Sequence, residues 1–111
     1  MRYLLLIYEN EATASQDPAE LQKMFDYTER LKSAGALLGG EALQPTSTAT
    51  TVRERGGQVV HTDGPFAETK EQLGGFYMIE CADLDEALKW AAQIPNVGTG
   101  SVEVRPIMDF E

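Results

Sequence analysis

The sequence predicts an α+β fold, a ferredoxin-like split βαβ sheet carrying an inserted β-hairpin, and three observations carry that expectation. Two continuous apolar runs, at residues 2–8 and 76–81, read as strands covered on both faces. Two segments open on an Asp followed three residues later by a Glu, Asp17 with Glu20 and Asp83 with Glu86, and go on with apolar residues at helical spacing. Between two short strand-like segments, Gly56-Gly57 supplies the positive φ of a tight hairpin turn. The order strand, helix, strand, hairpin, strand, helix, strand is that of a ferredoxin-like sheet with both helices on one face.

Each element has a local cause. The first strand stops at Glu9, and a polar loop over 9–16 leads to Asp17 as helix cap, with Pro18 at the first helical position. Leu21, Met24, Phe25, Thr28 and Leu31 form the expected core stripe of the first helix, which Gly35 ends. A strand over 36–43 is interrupted by Gly39-Gly40, a bulge or a close approach of another backbone. A polar linker at 44–49 precedes the hairpin, whose strands are residues 50–55 and 58–62. Thr69 and Gln72 are expected to cap a single helical turn that Gly74-Gly75 ends, just before the two-sided strand at 76–81. Leu84, Ala87, Leu88, Ala91 and Ile94 form the expected apolar stripe of the second helix, which Pro95 stops. A glycine-containing loop at 96–101 leads to a last strand at 102–108.

Composition narrows the function. The 111 residues, 42% of them apolar, suit one domain over 1–111. A net charge of -9 repels phosphate backbones and anionic membranes, so neither nucleic acid nor membrane is an expected partner. The first apolar run is too short for a signal peptide or a membrane span, and a single cysteine, Cys81, excludes an intrachain disulfide; a cytoplasmic location follows. One histidine, His61, leaves no Cys/His set for structural zinc, and no haem, flavin, nicotinamide or metal motif is present, so no cofactor is expected. With both helices on one face and two strands apolar on both sides, the uncovered face should meet a second copy, a homodimer with packed sheets.

The segment 62–77, Thr-Asp-Gly-Pro-Phe-Ala-Glu-Thr-Lys-Glu-Gln-Leu-Gly-Gly-Phe-Tyr, resembles the signature of the YCII-related family in its DGPF-motif branch. Residues 3–8, Gly39-Gly40-Glu41, 48–52 and 100–106 extend the resemblance over nearly the whole chain. It implies a dimeric α+β barrel, the fold that also houses muconolactone isomerase-like enzymes and haem-degrading or quinone-forming monooxygenases. In YCII-like relatives a helix histidine with an aspartate is the proposed catalytic dyad. Here the first helix has Tyr27 and no histidine, so only Asp63 is left to match the acidic half. Some relatives resemble proteins encoded with, or fused to, extracytoplasmic-function sigma factors, which implies a regulatory alternative.

The residues themselves offer a small set of acid/base groups. His61 and Asp63 are two apart on one strand and share a face, where a carboxylate can orient an imidazole for proton transfer. Asp63 before Gly64-Pro65 also suits a turn whose carboxylate caps backbone N–H groups, and His61 suits an exposed strand end. Phe66 is expected to pin the loop to the core. Glu68, Lys70 and Glu71 form either a solvated charge cluster or a pocket rim, in which Glu68 moves a proton and Lys70 steadies negative charge. Arg53 and Arg55 on the paired strand are a further cation source for an anionic ligand, or a plain solvent face. Cys81 reads as a core residue. The expected function is binding of a small organic molecule in a cleft beside this loop, with cofactor-independent isomerase- or lyase-like chemistry by His61, Asp63 or Glu68 and ligand contacts from Lys70, Arg53 and Phe66. A non-catalytic regulatory or protein-interaction module is the alternative.

Overall fold

Strand β1 (Arg2–Glu9) alternates fully buried Tyr3, Leu5 and Ile7 with half-buried Leu4, Leu6 and Tyr8, the pattern of a strand in the middle of a sheet. The computed structural model describes residues 1–15 and 17–110; Gln16, the last residue of the expected polar loop, lies outside the described residues. Strands β2 (Leu37–Ala42), β5 (Gln72–Glu80) and β6 (Ser101–Pro106) complete a four-stranded antiparallel sheet in the order β2-β5-β1-β6. Strands β3 (Thr50–Arg55) and β4 (Gln58–Asp63) form a separate hairpin inserted between β2 and β5. The ferredoxin-like reading of the sequence stands.

Helix α1 (Pro18–Ser33) starts where the Asp17 carboxylate accepts the Ala19 N–H at 2.9 Å. Helix α2 (Leu84–Ala92) starts on a reciprocal box: Asp83 accepts from Glu86 N at 3.0 Å, and the Glu86 carboxylate accepts from Ala82 N at 2.8 Å. No helix among the described residues is long and apolar enough to cross a membrane.

The buried arc of each helix is narrower than the sequence stripe. On α1 Tyr27 and Leu31 are fully buried, with Met24 packed against them, whereas Leu21 and Phe25 are each 57% exposed. On α2 Ala87 and Ala91 are buried and Ile94 just beyond it also, whereas Leu84 and Leu88 face outward. Tyr27 fills the space between helices and sheet, edge-on to Tyr77 at 5.4 Å and to Trp90 at 6.2 Å, and its hydroxyl donates to the Trp90 carbonyl at 2.8 Å. Burial drives the Tyr27 phenol well above its ordinary pKa. The Thr28 hydroxyl donates to Met24 O at 2.9 Å and lies 2.7 Å from the Tyr77 hydroxyl. Because Thr28 has one proton, the Tyr77 O–H is the donor in the second bond. Cys81 is buried in this core, which raises its thiol pKa.

The segment before Phe76 is strand, correcting the expected helical turn. Gln72 pairs with Glu9 and Leu73 with Tyr8, and the register shifts between Ile7 and Tyr8, leaving Gly74 as the extra residue of a bulge. Ladder hydrogen bonds to the end of β1 outweigh an isolated turn, which makes too few bonds to nucleate.

Opposite the helices, the sheet presents Leu4, Leu6, Tyr8, Phe76 and Met78, all half-buried and with no covering layer among the described residues. At its edge Tyr8 donates to Glu103 at 3.0 Å, and Arg105 pairs with Glu103 at 2.8 Å. The Arg105 guanidinium, then the Tyr8 hydroxyl, hold the Glu103 carboxyl below the usual range. The protein is a slab, 47 × 43 × 18 Å, with a radius of gyration of 15.9 Å. A compact chain of this length has a radius of about 13 Å. The hairpin accounts for the excess, since β3 and β4 pack substantially only on each other.

Candidate functional site

The motif loop leaves β4 and folds back over one face of the hairpin. Cross-strand partners share a face, so Thr50, Val52, Glu54, Val59, His61 and Asp63 lie on one side, and Thr51, Arg53, Val60 and Thr62 on the other. Gly64, with φ 106, makes the reversal, a conformation open to glycine and costly for a side chain. Its N–H donates to Ala49 O at 2.7 Å, and Thr51 Oγ1 donates to Gly64 O at 2.8 Å. Arg53 then donates to the Phe66 carbonyl at 2.9 Å. The motif loop is therefore fastened to the Arg53 side, and the His61 side stays bare.

Beyond Phe66 the loop is held from β5. Gln72 Nε2 donates to Ala67 O and to Thr69 O, each at 3.1 Å, and Thr69 Oγ1 donates to Glu71 O at 2.6 Å. Glu71 in turn accepts from Ser101 Oγ at 2.7 Å, so it is tied to β6 and is not part of a free charge cluster. This leaves Glu68 and Lys70 exposed, with no hydrogen bond or ion pair to other described residues.

Glu68 and Lys70 line a shallow cleft of about 250 Å³ between the motif loop and the loop after β1. Asn10, Glu11 and Ala12 form the opposite wall, with Thr46, Pro65 and Gln72 around it. Glu11 is fixed there because its carboxylate accepts from Thr46 N at 2.9 Å and from Thr46 Oγ1 at 3.1 Å, capping the short 3-10 turn at 46–48. The cleft thus has a cation and a carboxylate without partners among the described residues, facing a second carboxylate already committed to the fold.

The remaining expected residues are elsewhere. His61 and Asp63 are exposed at the hairpin face away from the motif loop, and neither side chain is hydrogen-bonded to other described residues. Arg53 spends its guanidinium on the loop backbone. Phe66 is 80% exposed, so it does not pin the loop to the core; backbone carbonyls do, held by Arg53, Thr51 and Gln72. Sequence reasoning missed Gln72 and Glu11 as the residues that shape the cleft. The sequence marks Gln72 only as the cap of a helical turn, whereas its amide holds the Ala67 and Thr69 carbonyls from β5, and Glu11 is 35 residues from its partner Thr46.

The four-stranded sheet with both helices on one face, an open face and a loop-rimmed cleft define a small α+β protein built on a ferredoxin-like sheet. The chain belongs to the YCII-related family, whose domain model matches residues 1–111. It is 42% identical to an uncharacterised protein of Rhizobium meliloti (strain 1021), over 96% of this chain and 92% of the relative. Among solved structures it is similar to 5-chloro-2-hydroxyhydroquinone dehydrochlorinase (TftG) from Burkholderia phenoliruptrix in complex with 2,5-dihydroxybenzoquinone, with a TM-score of 0.62 and 15% identity. That likeness covers 97% of this chain and 94% of the other and shows a shared fold.

Proposed function

We propose that the protein binds a small organic molecule in the cleft beside the motif loop and carries out cofactor-independent proton transfer on it, as a homodimer joined through the open sheet faces. The observation that carries this reading is the pair Glu68 and Lys70, charged groups with no partner among the described residues that flank one cleft. Lys70 is suited to an enolate or carboxylate oxygen, and Glu68 to taking or returning the neighbouring proton, the division of labour of an isomerisation or a dehydration. Asp63 and His61 are the further acid/base candidates. The fold of TftG, whose solved structure holds a dihydroxyquinone, supports a small cyclic oxygenated ligand as the first class to try.

The test is a thermal-shift screen that begins with 2,5-dihydroxybenzoquinone and proceeds to small hydroxy acids and lactones. A compound at about 100 times its dissociation constant stabilises the fold by about 2.7 kcal/mol, roughly 10 °C for a chain of this size. That shift should collapse in Lys70→Ala and persist in Lys32→Ala, which lies on α1 outside the cleft. A shift equal in both variants would place binding elsewhere. Light scattering tests the assembly: the unsubstituted chain should be a dimer, and Leu6→Glu on the open face a monomer.

A second reading has one observation in its favour, the 80% exposure of Phe66 on a well-fastened loop. A regulatory module would use that ring as a protein-docking anchor. Under this reading Phe66→Ala abolishes partner capture while no small molecule shifts the melting temperature.

A further inference from the structure

The hairpin face that carries His61 is a surface on which no other described residue of the chain packs. Every residue of β4 is exposed, Val52 is 61% and Val59 64% exposed, and the motif loop covers only the other side. A lone two-stranded hairpin is marginal in water, and the bare valines on this face add to that cost. Six-residue strands give an arm about 20 Å long, and because the 18 Å thickness of the slab includes it, the arm extends largely in the plane of the slab.

The missing cover has a measurable size. The chain exposes 7838 Å². A compact protein of 12.2 kDa exposes about 6,060 Å², so the excess is about 1,800 Å². A standard interface buries about 800 Å² per partner and an obligate homodimer about 1,000–2,500 Å² per partner. The excess thus matches what a second copy covers when it takes both the open sheet face and an arm.

The cleft is incomplete in a complementary way. At about 250 Å³ and open along one side, it falls short of the roughly 300–1,000 Å³ of sites that enclose small molecules. Its rim offers an unpartnered ammonium, Lys70, while the bare hairpin face offers two carboxylates, Glu54 and Asp63. Within one chain His61 cannot join Glu68 and Lys70, because the loop bearing them is fastened to the opposite face of the hairpin.

We infer that the β3–β4 arm of one chain closes over the motif-loop cleft of a second copy, bringing His61 and Asp63 to the partner's Glu68 and Lys70. The site is then shared: one chain supplies the cleft and its charge pair, the other the imidazole and the apolar valine wall that excludes water. This rests on the cleft reading above for its function, but its geometry is tested without a ligand.

The experiment uses the buried, unreactive position of Cys81. Chains carrying Val52→Cys and chains carrying Ala12→Cys are mixed, allowed to exchange subunits, and treated with a short bismaleimide. The expected product runs at twice the 12.2 kDa chain mass, in the mixture and in neither variant alone. A monomer in solution, a dimer without that product, or self-linking of Val52→Cys alone each overturns the inference. His61, the one histidine in the chain, supplies an independent readout. In dimers of a 13C-histidine-labelled chain with an unlabelled Glu68→Gln chain, the His61 ring resonance should move, and an unmoved resonance overturns its placement. Failure of the thermal-shift screen with these results intact would remove the ligand reading and leave the shared arm standing.

Discussion

The Arg53 guanidinium donates to the Phe66 carbonyl oxygen at 2.9 Å, and this bond ties the motif loop to one face of the hairpin. Together with Thr51 Oγ1 on Gly64 O it fastens the start of the loop from one strand. Arg53→Ala should therefore lower stability by about 0.5–1.5 kcal/mol in chemical denaturation, the scale of one net hydrogen bond. It should also speed proteolysis between 64 and 71 selectively. Unchanged cleavage there would show that Thr51 and Gln72 hold the loop without it.

Gly40 and Gly39 are neighbours on β2 with opposite tolerances. A Cβ on Gly40 would lie 2.6 Å from Phe76 O and 2.9 Å from the Tyr77 ring, whereas one on Gly39 meets nothing within 4 Å. Gly40→Ala is expected to cost about 1–3 kcal/mol by overpacking, and Gly39→Ala to stay within about 0.5 kcal/mol of the parent. Equal costs in a denaturant titration would mean that the β2–β5 ladder yields at both positions.

Tyr27 links stability to alkaline pH. Its folded-state pKa is raised by burial, so the unfolded chain ionises first: the contribution is fully present below about pH 10 and is lost as pH climbs from there toward the folded value. Tyr27→Phe should flatten that alkaline decline. At neutral pH it should cost about 1 kcal/mol for the bond to Trp90 O. Melting curves across the alkaline range in both proteins check it, and parallel declines would assign the effect to other groups, Cys81 and Tyr8 among them.

Periodicity exposes an amphipathic helix but not the angle at which it docks. Leu21, Met24, Phe25, Thr28 and Leu31 form a valid stripe, yet the arc that meets the sheet centres on Tyr27 and Leu31 and leaves Leu21 and Phe25 outside. Tyr27 is hidden from a hydrophobic pattern because its polar tip counts against burial, and only the Trp90 carbonyl, 63 residues away, satisfies that tip. For the site, the sequence marked Glu68 and Lys70, which share a cleft, together with His61 and Asp63, which do not join them within one chain.

By itself the sequence determined the order of the main strands and helices and the two-sided character of β1 and β5, because caps, apolar runs and glycine turns act within a few residues of the chain, whereas residues 72–75 became strand only by pairing with β1. The tertiary structure decided which hairpin face the motif loop covers, that Phe66 points outward, and that the cleft stays open. Those outcomes depend on hydrogen bonds such as Arg53 to Phe66 O and Thr46 to Glu11, formed between segments whose separation is settled only when the sheet has assembled.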